Sequence, residues 1–354
     1  MTKEAIRALV VGTGFGCRVH VPALRAAGFD IVGLVGRDAE RLARKAETLG
    51  LPASHTDLDA AISATGAQLV TIATTPSTHA GLARQAIARG CHVLCEKPFA
   101  FDVGEGASLL ELAERSGIVH MVAHEFRWLP ERALFGRAIA EGMIGEPRFL
   151  AVDQFIPFCA SRDARLPKWW FDKDSGGGWL GASGSHMIDQ IRAWLGDFHS
   201  LSANLMVVSD RQDVADDSFS MRFRLASGVE GSMQQSASAW GPSVSITRCM
   251  GSHGTVWIDA GKVFVADKAG THELPMPDDL ALPPQAADPA SSDRLPHFEL
   301  GPFTRLAQML RAAIIGGTPP SNIAAATFAD GLATMKIMDA MRQSARDGGA
   351  LQVL

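Results

Sequence analysis

The sequence predicts an α/β chain in two parts: an N-terminal doubly wound parallel sheet and a C-terminal α+β domain with an open, mostly antiparallel sheet. Three observations carry the prediction. Residues 5–124 alternate short apolar runs with helical patterns; a glycine-rich turn follows the first run; and the texture changes after about residue 125. With 354 residues, the chain is about twice a usual single domain of roughly 100–200, so a division into 1–124 and 125–354 is expected.

The first-part strands read as Ile6–Val11, Ile31–Val35, Leu69–Ile72, His92–Leu94 and Ile118–Val122, with helices expected at 38–49, 77–89 and 102–116. Continuous apolar runs of this kind belong to parallel strands covered on both faces. Beyond 125 come a helix at 130–141, an extended piece at 148–156, a Gly-rich loop and a helix at 185–195. Several strand-like stretches then lie between 201 and 265, where Phe219–Leu225 and Val229–Ser236 flank Ala226-Ser227-Gly228 as a hairpin. Six prolines within 271–296 argue against regular structure there, and helical periodicity returns at 303–346.

Composition narrows the chemistry. Hydrophobic residues make up 47% of the chain and charged residues 20%, enough for large cores and against a disordered chain. Lys plus Arg (33) against Asp plus Glu (38) leaves −5, with no basic run, so no nucleic-acid partner is expected. No apolar stretch approaches the roughly 18 residues of a membrane span, and Met1 to Arg7 lack an apolar signal core; neither export nor insertion is expected. Five scattered cysteines fit a reducing cytoplasm better than a disulfide framework, and Cys91 and Cys95 have no companion pair of zinc-site spacing, so no metal is expected. The chain contains no tyrosine, which excludes every mechanism that needs a phenol as acid or base.

Directly after the first strand stands Gly12-Thr13-Gly14-Phe15-Gly16-Cys17. Such a turn lets backbone N–H groups and a helix N-terminus approach a pyrophosphate, and its position in the first βα unit favours a Rossmann dinucleotide site over the alternative of a glycine-rich turn without ligand. Cys17 stands where the third glycine or an alanine is usual, and is small enough for close helix–strand contact. At the end of the second strand, where a carboxylate would meet a ribose 2′-hydroxyl, the chain has Gly36-Arg37. A guanidinium there favours NADP over NAD, the alternative being a solvated Arg37 beside an Asp38 that caps the next helix.

Cys91-His-Val-Leu-Cys-Glu96-Lys97-Pro98 ends a strand at the sheet's carboxyl edge, where ligands of open α/β sheets collect. A lysine ammonium beside a carbonyl oxygen can stabilise developing charge and exchange the proton that accompanies hydride transfer, which makes Lys97 the leading catalytic candidate. Strand alternation predicts that Glu96 and Lys97 are not partners. A cis Lys97–Pro98 bond is one expectation for so tight a turn.

Together with Thr74-Thr-Pro76-Ser-Thr-His79, Phe126-Arg127-Trp128, and Gly176-Gly-Gly178 leading to Gly184-Ser-His186-Met-Ile-Asp189, these segments resemble the glucose-fructose oxidoreductase and inositol dehydrogenase family, Gfo/Idh/MocA, in order along the chain. The resemblance implies a nucleotide-binding first domain, a second domain whose sheet mediates homodimer or homotetramer contacts, and hydride transfer to or from a small hydroxy compound, commonly a sugar or cyclitol. By the same resemblance Gly12, Gly14 and Gly16 cradle the pyrophosphate; Thr74, Pro76 and His79 lie along the dinucleotide; Glu96 lies near the nicotinamide ribose; and Lys97 faces the substrate.

Two departures matter. The family aspartate four residues before the histidine is Ala182 here, so His186, expected at a helix N-terminal rim facing the cleft, lacks its acidic partner and should be neutral near pH 7. Asp189 either orients that ring or ties down the helix, and the structural role is favoured. Trp170 stands where relatives carry a charged contact, and serves either as an aromatic plate for substrate or nicotinamide or as core. Arg127 is read as a substrate anchor or an interdomain salt bridge. The resulting expectation is an NADP-dependent oxidoreductase with Lys97 as principal acid or base and His186 assisting; the rivals are the same chemistry with NAD, a silent cofactor-binding or regulatory protein, and a lyase or glycosidase that uses nicotinamide transiently.

Overall fold

The computed structural model describes residues 5–164, 166–284 and 297–354. In chain order the first stretch holds β1 (Arg7–Val11), a π-turn (Gly16–His20), α1 (Val21–Ala26), β2 (Asp30–Val35), α2 (Ala39–Thr48), β3 (Ser54–His55), α3 (Leu58–Thr65), β4 (Leu69–Ile72), α4 (Pro76–Ala88), β5 (His92–Cys95), α5 (Val103–Ser116), β6 (His120–Val122) and a 3-10 turn (Glu125–Trp128). Next come α6 (Pro130–Ala140), β7 (Pro147–Phe155), a 3-10 turn (Lys168–Phe171), a second π-turn (Leu180–Gly184), α7 (Ser185–Leu195), β8 (Phe198–Met206), β9 (Ser218–Leu225), β10 (Glu230–Ser236), β11 (Val244–Gly251), β12 (Gly254–Asp259), β13 (Lys262–Asp267), β14 (Gly270–Leu274) and a 3-10 turn (Asp278–Leu280). The chain closes with α8 (Leu300–Ile315), α9 (Phe328–Arg346) and β15 (Gln352–Val353).

Two compact units result: residues 1–129 with 282–332, and residues 130–281 with 333–354. The first break falls a few residues after 124, and 282–332 does not stay with the second unit as a single cut would have it. The reason is apolar. In α8, Leu300, Phe303, Leu306, Ala307 and Leu310 are buried in one cluster with Val21, Leu24 and Trp128. Burying such a stripe stabilises by about 25 cal/mol per Å2, which binds that segment to the first unit.

The first unit's sheet runs β3-β2-β1-β4-β5-β6, all parallel. Its order reverses between β1 and β4, so the carboxyl ends of those strands border a topological switch point. Asp38, Asp57 and Asp102 accept from Arg41, Ala60 and Glu105 N–H to start α2, α3 and α5. The second unit carries one sheet of order β14-β13-β12-β11-β7-β10-β9-β8-β15, antiparallel except between β7 and β10. The predicted hairpin is β9–β10. Within the described part of 271–296 the expectation of irregular chain is corrected at two places: β14 is an exposed edge strand that stops before Pro275, and Asp278–Leu280 is a 3-10 turn. Residues 285–296, with Pro289 and Pro296, lie outside the described residues. Among the described residues no helix is long and apolar enough to cross a membrane.

Candidate active site

The glycine turn leaves β1 at the switch point. Gly12 has φ +117°, and a Cβ there would lie 2.2 Å from the Ala73 carbonyl oxygen, so only glycine fits. Its N–H donates to Val35 O (2.9 Å). Gly16 lies against Val10 and Ala73, where a Cβ would be 2.9 Å from Val10 Cγ1. Gly16 therefore provides the close helix–strand approach one residue before the usual third glycine. The π-turn Gly16–His20, closed by Val21 N–H to Gly16 O, accommodates the shifted register. Cys17 is buried, its thiol toward Gly12 O (3.9 Å), so its side chain supports the turn from within rather than facing a ligand.

Gly14, by contrast, is exposed, with nothing within 4 Å of where its Cβ would be. Among the described hydrogen bonds, the N–H groups of Thr13, Gly14 and Phe15 donate to no protein acceptor. An open cradle with free donors at a helix entrance fits a pyrophosphate. The Phe15 ring turns away from it, edge-on to His20, His297 and Phe303.

Arg37 is exposed just past β2, while Asp38 accepts from Arg41 N–H (3.0 Å) at the start of α2. Gly36 lies beside Thr13, a Cβ there being 3.5 Å from Thr13 Cγ2. Thr74 follows β4, half-buried, and its hydroxyl accepts from Thr78 Oγ1 (2.7 Å). Pro76 is buried in the first turn of α4. His79 is wholly buried, with ring nitrogens 2.9 Å from Pro98 O and 3.2 Å from Thr74 O. That corrects its expected place along the dinucleotide, since a side chain without exposed surface cannot touch one. Burial holds this imidazole below its usual pKa, and the ring ties the β4 end to the Pro98 turn.

At the end of β5 the Lys97–Pro98 bond is cis. Lys97 is half-buried. Glu96 is 7% exposed; Oε1 lies 3.0 Å from His20 Nε2, and Oε2 accepts from Lys97 N–H (3.2 Å). Burial alone would raise this carboxyl, but the His20 hydrogen bond and the Lys97 charge outweigh it and hold it below the usual range. The expectation that Glu96 and Lys97 do not interact is therefore corrected: β5 ends at Cys95, and strand alternation does not extend past it.

Three further groups were not singled out from sequence. His20 is fully buried, its ring 4.3 Å from that of Phe303. Glu125, at the start of the 3-10 turn after β6, is fully buried, and burial with nearby Glu299 and Glu96 pushes its carboxyl well up, against Lys97. Glu299, just before α8, is pushed up to about 7 by burial, opposed by Lys97. A readable signal existed only for His20: positions 17, 20, 21 and 24 form one buried stripe at helical spacing.

Arg127 is 8% exposed, its guanidinium donating to Ala324 O (2.9 Å) and pairing with Asp330 (3.3 Å). Both partners belong to the first unit, so the geometry makes it a structural tie in place of the expected substrate anchor or interdomain bridge.

The second unit holds Trp170 and His186. Trp170 is half-buried in an aromatic group with Trp169 and Trp179, centroids 6.3 and 5.6 Å away. Gly177 packs on the backbone of that group, where a Cβ would lie 2.1 Å from Trp169 O, and a Cβ on Gly178 would lie 2.3 Å from Asp216 Oδ1. His186 is 2% exposed. Its expected place at a helix N-terminal rim is corrected, because the π-turn Leu180–Gly184 runs directly into α7 and helical backbone begins a full turn earlier. Asp189 is wholly buried in α7, and Ala182 lies within the π-turn.

Residues 6–124 match the oxidoreductase family with NAD-binding Rossmann fold, GFO_IDH_MocA, and residues 135–257 match the GFO/IDH/MocA C-terminal domain. D-apiose dehydrogenase of Paraburkholderia graminis is 32% identical over 211 residues, 57% of this chain and 53% of that protein. The D-xylose 1-dehydrogenase (NADP(+)) 2 of Haloferax volcanii is 25% identical over 346 residues, 97% of this chain and 98% of that one. A levoglucosan dehydrogenase in complex with NADH and levoglucosan superposes with a TM-score of 0.86 at 24% identity over 99% of both chains, which shows a shared fold. The chain spans 59% and 53% of the length of the two curated relatives it matches at 33% and 32% identity. With both domain profiles matched in order over most of its length, the chain belongs to the Gfo/Idh/MocA oxidoreductase family.

Proposed function

We propose that the protein is a nicotinamide-dependent dehydrogenase, favouring NADP, that moves a hydride between the nicotinamide and a secondary alcohol or hemiacetal carbon of a small hydroxylated substrate such as a sugar or cyclitol. The observation that carries the reading is Lys97. The residue is half-buried at the carboxyl end of β5, and Glu96 joins that strand end to the helix of the glycine turn through His20. The bound nicotinamide supplies the hydride acceptor. Thr13 to Phe15 bind the pyrophosphate, and Lys97, as the neutral amine, takes the hydroxyl proton as the carbinol is oxidised or, as the ammonium, returns it in reduction. His186, from the second unit, is assigned an assisting role and Trp170 a substrate contact.

Arg37 supports NADP: the first residue after Gly36 is an exposed guanidinium, the nearby Asp38 carboxylate is engaged in capping α2, and Arg41 adds exposed positive charge one turn on. The NADP(+)-named relative, aligned over nearly the whole chain, agrees with this, and the sugar dehydrogenase relatives support the substrate class. The exposed Val208 and Trp240, 55% and 78% accessible, support a homodimer or homotetramer through the second unit, and the free, buried cysteines support a cytoplasmic location. Ala182 is the one feature that favours a silent binder. Quenching of tryptophan fluorescence separates the cofactors, with NADPH expected to bind more tightly than NADH. Reduced-nicotinamide absorbance with a panel of aldoses, polyols and cyclitols then separates turnover from silent binding. Tighter NADH would overturn the cofactor preference, and binding without any turnover would overturn the enzyme.

A further inference from the structure

At the start of α8 a hydrogen-bonded turn holds an aromatic side chain out of the core. Leu300 N–H donates to His297 O (2.8 Å), and Glu299 N–H donates to His297 Nδ1 (3.3 Å). Within that turn Phe298 is 64% exposed, the most accessible large apolar side chain described in the first unit, while the buried stripe of α8 begins only at Leu300. The ring is not isolated. It stacks on His297, with centroids 5.2 Å apart and 21° between the planes, and lies 6.1 Å from the Phe126 ring. His297 in turn stands edge-on to Phe15 at 5.8 Å.

Phe15 follows β1, and Phe126 lies in the 3-10 turn after β6. The row of Phe15, His297, Phe298 and Phe126 therefore joins the carboxyl ends of the outer two strands in the run β1-β4-β5-β6. Lys97 leaves β5 between those ends, and its charge acts on Glu299, the residue next to Phe298. This is the edge where ligands of open α/β sheets collect. The Phe15 ring points toward His20 and Phe303, so the row starts away from the free N–H groups of the pyrophosphate cradle.

We propose that Phe298, backed by His297 and Phe126, is a stacking platform that selects a cyclic hydroxy substrate, a pyranose or cyclitol, over an open-chain one. This rests on the dehydrogenase reading above. Such a ring carries its hydroxyls around the rim and presents C–H groups on its faces. Those hydrogens, on carbons polarised by oxygen, are attracted to the negative face of an aromatic ring, and apolar area on both partners leaves water. An open chain has no fixed face to offer and loses rotamer freedom in making one. The turn sets Phe298 before the ligand arrives, so little ordering cost offsets the contact. Phe298 determines specificity and takes no part in the proton transfer assigned to Lys97.

The test is saturation-transfer NMR of protein saturated with NADPH, which cannot oxidise the probes. D-xylose, levoglucosan and myo-inositol are the ring probes, and xylitol is the open-chain control. With irradiation confined to aromatic protons, the C–H groups on one face of at least one ring probe should receive more saturation than those on the other. In F298L that contrast should vanish and the Kd of the probe should rise about tenfold. F298Y should bind it as the wild type does, and xylitol binding, NADPH affinity and the melting temperature should not move in F298L. Failure of every ring probe to bind wild-type protein, or equal affinity in F298L, would overturn the platform and leave the dehydrogenase reading standing. NADPH weakened in F298L with ring probes unaffected would make Phe298 a cofactor contact and overturn the platform too. Ring probes held by Phe298 while nothing in the panel is oxidised would overturn the dehydrogenase reading, with the platform left as a ligand site.

Discussion

Replacing His20 by phenylalanine isolates the bond that joins the glycine turn to the catalytic strand. A phenyl ring keeps the stack on Phe303 at 4.3 Å but removes the 3.0 Å hydrogen bond to Glu96. A hydrogen bond to a charged group contributes about 1.5–3 kcal/mol, and a buried carboxylate stripped of its partner costs about 3–5 kcal/mol. Lys97 N–H still reaches Glu96, so the expected loss is about 2–4 kcal/mol at pH 7. The pH dependence fixes the sign. The Glu96 carboxyl is held below its usual range when folded, so its contribution is present above the unfolded value of 4.5 and is lost as pH falls through the folded value. Urea titration of both proteins at pH 7 and at progressively more acid pH should show a gap in midpoint that narrows toward acid. An equal gap at every pH, or none at pH 7, would refute the role given to this bond.

Other outcomes follow from the same geometry. Gly14→Ala should weaken NADPH binding by tenfold or more, about 1.4 kcal/mol, with the melting temperature unchanged, because only a ligand would meet the new methyl. Gly12→Ala should lower the melting temperature itself, by strain and overlap of about 2–5 kcal/mol. Arg37→Ala should weaken NADPH by about 10- to 100-fold in a fluorescence titration and leave NADH unchanged; equal losses for both would remove the 2′-phosphate contact. Arg127→Ala should cost stability through the freed Ala324 carbonyl and Asp330 while KM stays within about twofold; a large rise in KM in a stable variant would restore it as a substrate contact.

Most of the first sheet is legible in the sequence because its strands are continuous apolar runs, buried on both faces, and their lengths are short enough to separate from helices. β3 is not legible, since Ser54–His55 is two polar residues that join the sheet only through β2. β14 is missed for a related reason: an exposed edge strand with polar side chains has no alternation to read. In the site, the glycine turn and Lys97 stand out because chemistry restricts their residue types. His20, Glu125 and Glu299 do not, because a titratable side chain in a helix or turn looks solvated until the fold buries it. Their grouping depends on α8, far along the chain, returning to the first unit. The same return explains why Arg127 reads as a loose anchor in sequence and as a tie in the structure: Ala324 and Asp330 arrive with it. His186 misleads for a local reason, since a π-turn ahead of α7 leaves no signal that distinguishes it from loop.

The most direct test of the assigned chemistry is a single-turnover experiment with Lys97→Met and wild-type protein, each saturated with NADP and mixed with a substrate found by the panel. The expected result is cofactor binding within a fewfold of wild type and formation of reduced nicotinamide slowed by at least about 100-fold. Reduced nicotinamide appearing at the wild-type rate would contradict it.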